Sequence, residues 1–232
     1  MSRTAFEKLR VMLGDMIIVQ AHRCPVPEAL YPEIIMAIGL QYLSGGKCLD
    51  LKNVYSVSLP SVYRIHDLFI NAVNSCLIKG TKLPETIGEM VTIAVAFERL
   101  STSGLIRGCV GCIDGFLAAT TRPKMGDSNN NPNAYYSGHQ YGMYGQNVQA
   151  VCDKNQSRFL FFGVAAPGKC GDQVLFERTI LNDYARNLPR GYYLIGDAAY
   201  SVCESMLTPF TAGNRNDPKK DAFNFFFSQM RI

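Results

Sequence analysis

Residues Gly191–Tyr200 read GYYLIGDAAY. Apolar and aromatic side chains lead into Gly196 and Asp197, so the stretch predicts a short buried strand that ends on a carboxylate. An aspartate just past a strand is commonly a helix N-cap or a turn residue. It becomes a functional candidate only if other carboxylates converge on the same place.

Two further acids stand at comparable positions. LIRGCVGCIDGF (105–116) predicts a strand ending at Asp114-Gly115, and PGKCGD (167–172) predicts a loop that delivers Asp172 to the start of a helix running to about Arg186. For Asp172 alone, an N-cap is an equally good explanation. Between these acids, QNVQAVCD (146–153) and SRFLFFGVAA (157–166) predict a hairpin turning at DKNQS, preceded by the polar loop NPNAYYSGHQYGMYG (131–145). After Pro209 comes a second polar loop, AGNRNDPKKDAF (212–223), and FNFFFSQMRI (223–232) opens a last helix.

The predicted order is therefore strand, strand, strand, helix, strand, loop, helix. In open α/β sheets, ligands gather at the carboxyl ends of parallel strands where neighbours diverge. If the first strand lies beside the fourth, Asp114 and Asp197 project from neighbouring tips. That is the plan of a ribonuclease-H-like mixed α/β sheet, with Asp172 able to add an oxygen from the same edge. Phosphodiester cleavage needs an activated water and a stabilised leaving oxygen, and two divalent ions about 3.5–4 Å apart supply both. Mg²⁺ and Mn²⁺ favour carboxylate oxygens. Acids drawn together from distant positions would repel one another without such a cation.

Residues 1 to about 100 read as helical. TAFEKLRVML (4–13) sets Phe6, Leu9 and Leu13 on one face, and YPEIIMAIGLQYLSGG (31–46) has Pro32 at a helix start and Gly45-Gly46 as a stop. The segment from 47 to about 76 splits into a short helix through Tyr55, a turn at SVS, and a helix with Pro60 in its first turn. That spacing suits a helix-turn-helix, which would present Ser58, Ser61, Tyr63 and Arg64 to DNA. It suits an ordinary αα-hairpin as well. EMVTIAVAFERL (89–100) closes the half as a buried helix, and ten Lys and Arg against nine acids give this half no electrostatic signature.

The 232 residues carry a net charge of +4, which permits a nucleic-acid partner without requiring one. The eight cysteines are scattered. The single close pair, Cys109 and Cys112, has no second pair to complete a zinc site, so reduced cysteines packed as small apolar residues are expected. No secretory signal and no apolar run of membrane-spanning length is expected, which predicts a soluble intracellular protein.

In chain order, GCIDGF, YYSGHQYGMYGQNVQAVCD, APGKCGDQVLFERTIL, LPRGYYLIGDAAY, and LTPF followed by FNFFFSQMRI resemble the PIF/Harbinger-type transposases and their nuclease relatives within the DDE superfamily. The resemblance runs from about Cys109 to the last residue, giving a nuclease domain over 104–232. The region GLQYLSGGKCLDLKNVYSVSLPSVYR (39–64) is similar to the helix-turn-helix part that precedes it. The resemblance implies a divalent-metal endonuclease (Mg²⁺ or Mn²⁺) acting on DNA, with Asp114, Asp172 and Asp197 as catalytic metal ligands. It also implies an accessory DNA-binding protein as a second partner and a nuclear setting, with the cytoplasm as the alternative. A further family glutamate is expected on the helix after FNFFFSQMRI, beyond Ile232. The chain is accordingly expected to be a C-terminally truncated form with impaired cutting, and Glu204 is a poor substitute. His139 and Tyr141 are candidate DNA contacts. Lys219 and Lys220, with Arg215, form a small basic patch that could bind DNA phosphate, in what otherwise reads as a solvated loop.

Two alternatives belong to other classes. One is a transposase-derived protein that binds DNA or a partner without cutting. The other, a haloacid-dehalogenase-like phosphotransferase, needs acids where Phe116 and Ser201 stand, and is set aside.

Overall fold

In the computed structural model, which describes residues 1–23, 30–138, 142–154, 158–211 and 217–231, strand β1 (Cys109–Ala119) organises the sheet. Its eleven residues carry no proline and pair on both edges. One edge meets β3 (Met143–Asp153) antiparallel, from Cys112↔Cys152 to Ala119↔Gly145. The other meets β5 (Tyr193–Ile195) in parallel and only briefly, through Cys112↔Ile195. The two-residue strand β2 (Tyr136–Ser137) and β4 (Arg158–Pro167) both pair antiparallel with β3, and β6 (Met206–Leu207) extends β5 in parallel. Among the described residues the sheet is six-stranded and mixed, and three long antiparallel strands followed by parallel ones give the expected ribonuclease-H-like α/β fold.

Two departures from the sequence expectation matter for the site. The strand carrying Asp114 does not end there, because the ladder to β3 continues for five further pairs to Ala119. The helix after Asp172 is broken into α6 (Asp172–Arg178) and α7 (Ile180–Arg186). Thr179 lies between them in an extended conformation (φ −106°, ψ 166°) and returns its hydroxyl to the Phe176 carbonyl at 3.1 Å.

The chain divides into two compact units, Met1–Gly80 and Thr81–Ile232. The division falls before α5 (Ile87–Leu100), where the sequence texture had pointed to about 100. The reason is that Met90, Ile93 and Phe97 on one face of α5 join the sheet core with Val110, Ile113, Leu194 and Phe227. The opposite face is open at Val91 and Val95, so α5 is amphipathic rather than wholly buried. Its start is fixed by a capping box, in which Thr86 accepts from Glu89 N and Glu89 accepts from Thr86 N.

In the first unit, α1 (Arg3–Arg23), α2 (Pro32–Leu43) and α3 (Cys48–Tyr55) pack on α4 (Leu59–Gly80) around Leu13, Ile35, Met36, Leu51, Ile65 and Phe69. Gly39 is required there, since a β-carbon would strike the Phe69 ring. Ser56, at φ 52°, ends α3 in the left-handed region and turns the chain into α4. At 218–231 the final helix α8 (Pro218–Arg231) starts upstream of FNFFFSQMRI. Asp217 caps it through Lys219 N at 3.0 Å, and Pro218 fits its first turn. Among the described residues, no helix is long and apolar enough to cross a membrane, and the seven described cysteines are free.

Phe97→Ala should destabilise the second unit by about 3–5 kcal/mol, as expected for emptying a fully buried aromatic site. Chemical denaturation checks this. Glu89 is held down to about 2, first by the Thr86 backbone N–H and then by that of Glu85. A lowered carboxylate stabilises the fold above its unfolded value of 4.5 and loses that contribution as pH falls towards 2. Glu89→Gln should therefore flatten the acid limb of the stability profile between those values.

Candidate active site

The register of β1 and β5 sets the first relation. Cys112 pairs with Ile195, and two residues further along each chain come Asp114 and Asp197. β5 ends at Ile195 while β1 runs on, so both acids stand just past the last parallel pair. Asp114 is exposed, and Asp197 is half-buried. Each carboxylate is steadied locally: Asp114 Oδ1 accepts from Gly115 N at 2.9 Å, and Asp197 Oδ1 from Ala199 N at 2.9 Å.

The surroundings of Asp114 follow from the same ladders. Cys112, Asp114 and Phe116 share a face with Val148, Ala150 and Cys152 of β3 and with Phe159, Phe162 and Val164 of β4. Phe116 and Phe162 approach to 6.2 Å between ring centres, and both are substantially exposed. A cleft of about 470 Å³ opens here, lined by Cys112, Asp114, Phe116, Cys152, Phe159 and Met230. Burial, followed by the Asp114 charge, pushes the Cys152 thiol up, so it stays protonated at neutral pH.

Asp172 lies on the other side of β1. A β-carbon added to Gly115 would run into the Asp172 carboxylate, and successive residues of a strand point to opposite faces. Asp172 is held there by two amides of β3. Asn147 Nδ2 donates to Asp172 Oδ1 at 2.9 Å and to the Cys170 carbonyl at 2.8 Å. Gln149 Nε2 donates to the Asp172 carbonyl at 2.8 Å and lies 3.2 Å from the Tyr200 hydroxyl. A larger cleft of about 1040 Å³ opens on this side, with Gly115, Leu117, Asn147, Asp172, Tyr136 and Lys169 in its lining.

Tyr200 is 4% exposed, and its ring meets Phe176 edge-on at 5.9 Å. Burial raises its phenol well above the ordinary range, and the charges of Asp172, Asp114 and Asp197 add to the effect. All three acids thus act on one buried hydroxyl. Even so, among the described residues no group of three Asp, Glu, His or Cys side chains is placed to hold a metal ion. The Asp172 carboxylate lies against β1 at Gly115, the residue after Asp114.

The matching family model is that of a DDE superfamily endonuclease, over residues 113–232. That span is just over half of the 232 residues. The chain belongs to the DDE superfamily endonucleases. No curated protein and no solved structure matches it. The matched region of this DDE-family chain takes in Asp114, Asp172 and Asp197 together with the three residues that sequence reasoning passed over, Asn147, Gln149 and Tyr200. A signal for two of these was available: amides at 147 and 149 fall on one face of a strand whose other residues are largely apolar, and they face the core.

The other predicted contacts fare differently. Ser58 Oγ accepts from Ser61 N at 3.2 Å and lies 2.8 Å from Ser61 Oγ, and Ser61 is 7% exposed. Both hydroxyls are engaged at the start of α4; Ser58 is exposed, whereas Ser61 is buried, which departs from its expected presentation to DNA. Tyr63 and Arg64 are exposed. His139, Tyr141 and Arg215 lie outside the described residues. Lys219 and Lys220 sit in the first turn of α8 rather than in a loop. Lys220 lies 3.9 Å from Asp217 and 5.5 Å from the Phe210 ring centre.

A phenol whose folded value is raised stabilises the fold fully below its unfolded value, near 10, and loses that contribution as pH rises above it. Tyr200→Phe should therefore shift the alkaline loss of stability of the protein to higher pH. Denaturation midpoints measured across that range check it.

Proposed function

We propose that this DDE-family protein is a divalent-metal-dependent DNA endonuclease of the PIF/Harbinger type, with Asp114 and Asp197 as the residues that would hold the ion. The observation that supports the reading is the β1–β5 register, in which Asp114 and Asp197 each follow by two residues the last couple of a parallel strand pair, Cys112↔Ile195. The donor chemistry fits Mg²⁺ or Mn²⁺. The ligands offered are hard carboxylate oxygens, and the nearby Cys152 is kept protonated and so is a poor competitor. When bound, such an ion would polarise the scissile phosphate and lower the pKa of an attacking water. The chain's own part is to bring Asp114 and Asp197 to the end of the β1–β5 pair and to keep Asp114 at the mouth of an aromatic-walled cleft.

DNA is the proposed substrate, with an accessory DNA-binding protein as a second partner and the nucleus as the working compartment. In the first unit, α3, the turn at Ser56–Ser58 and α4 support a helix-turn-helix role, with Tyr63 and Arg64 as the outward contacts. Ser58 and Ser61 would then shape the helix start rather than touch DNA.

Calorimetric titration with Mn²⁺ tests the metal reading directly. Binding by the 232-residue chain, weakened at least tenfold by Asp114→Asn and again by Asp197→Asn, is expected. Manganese-dependent nicking of supercoiled plasmid should fall by about 10²–10³ in either variant, the size expected when one charge-stabilising group is lost. Absence of any metal heat would instead favour the non-catalytic DNA-binding or partner-binding reading.

A further inference from the structure

We propose that Gln149 and Gln173 are positioning residues, two amides that together hold the turn carrying Asp197 against the start of the helix carrying Asp172. The inference rests on the proposed metal reading for Asp197 and deepens it, because β5 has ended before that acid and the sheet alone does not place it. Three observations carry it.

The first is where the sheet stops. Gly196 N still donates to the Leu207 carbonyl at 3.0 Å, and Asp197 comes next. From there to Tyr200 the chain is a turn that bonds to itself, through Tyr200 N to the Asp197 carbonyl at 3.2 Å and Ala199 N to Asp197 Oδ1 at 2.9 Å. Bonds within a turn shape it without fixing where it lies against its neighbours.

The second is the pair of bonds that do fix it. Ser201 N donates to Gln173 Oε1 at 2.8 Å, and Gln173 Nε2 donates to Glu177 Oε1 at 2.7 Å, which sets the direction of that amide. Gln173 is the residue after Asp172. From β3, Gln149 Nε2 donates to the Asp172 carbonyl at 2.8 Å and lies 3.2 Å from the Tyr200 hydroxyl. Each glutamine thus ties the segment of one acid to the turn of the other. Tyr200 is the peg between them, with its ring edge-on to Phe176 of α6 at 5.9 Å. The result is that Ala199 and Asp172 line the same cleft.

The third is that Gln149 does not serve stability. Its side chain is fully buried, and its Oε1 has no hydrogen-bond partner. A buried carbonyl oxygen without a donor lowers stability, a loss that an apolar side chain avoids. Val151, two residues along β3 and on the same face, is such a side chain in the sheet core. An amide at position 149 is explained by what its nitrogen holds.

The test compares Gln149→Met, which keeps the length and removes the donor, and Gln173→Ala with the parent. In Mn²⁺ calorimetry each should lose about tenfold in affinity, the size usual when a group that orients a metal ligand is removed. A loss of less than about threefold in either folded variant would overturn the inference. The second measurement needs no metal: hydrogen exchange at the Ala199 amide, which bonds Asp197 and neither glutamine. Exchange should be slower in the parent than in an unstructured peptide and accelerate about tenfold in both variants. In Gln173→Glu, which keeps an acceptor for Ser201, it should stay within about twofold of the parent. Parent-like exchange in Gln149→Met or Gln173→Ala would also overturn the inference. If the parent binds no Mn²⁺ while the exchange pattern holds, the metal reading fails and the clamp stands. Should Gln149→Met not fold, Gln173→Ala, at a half-buried site, decides by the same two readouts.

Discussion

The site depends on β1 being shared between two ladders of different length. Its antiparallel pairing with β3 continues to Ala119, whereas its parallel pairing with β5 stops at Cys112↔Ile195. Beyond that point β1 has a strand on one edge only, and the chain leaving β5 is free to turn at Gly196 and Asp197. Both acids stand just past the point where one strand stops and its neighbour does not. Gly196 permits the turn to stay close, since a β-carbon there would press on Tyr200, Ile113 and Met206. The tip that carries Asp197 is thus packed on the core.

The two faces of β1 are furnished for different purposes. On the Gly115 side the larger cleft is floored by α6 and a polar network in which Asn147 and Gln149 each donate twice from buried amides. Such a network, in a medium of low dielectric, rigidifies what it joins. The Asn147 Oδ1 and Gln149 Oε1 atoms are buried without a protein donor, so the two amides give up acceptor satisfaction to hold Asp172 and Tyr200. On the Asp114 side, the strand offers an open face with Phe116, Phe159 and Phe162 around one carboxylate.

Much of this was legible in the sequence. The strand at 193–195, the hairpin of β3 and β4, the start of α2 at Pro32 and the turn before α4 follow from local patterns, namely apolar runs, proline at a first turn and glycine at a stop. What failed were residues whose local meaning is overruled by a distant partner. Gly115 reads as a strand terminator, yet it lies within a continuing strand, because the requirement for glycine comes from Asp172 pressing on it. EMVTIAVAFERL reads as the close of the helical half, but the burial partners of Met90, Ile93 and Phe97 lie in the sheet. Ser61 has the composition of a phosphate contact, but it is buried and bonded to Ser58 at the start of α4, and only the hydrogen bonds reveal that.

The same distinction applies to the acids. Three aspartates in motif order, each after a glycine or an apolar strand, look equivalent along the chain, and spacing alone cannot rank them. The register distinguishes their places: Asp114 and Asp197 each stand two residues beyond the paired couple Cys112↔Ile195, whereas the Asp172 carboxylate comes from the start of α6 and meets β1 at Gly115, one residue on from Asp114, fastened there by the buried Asn147 amide.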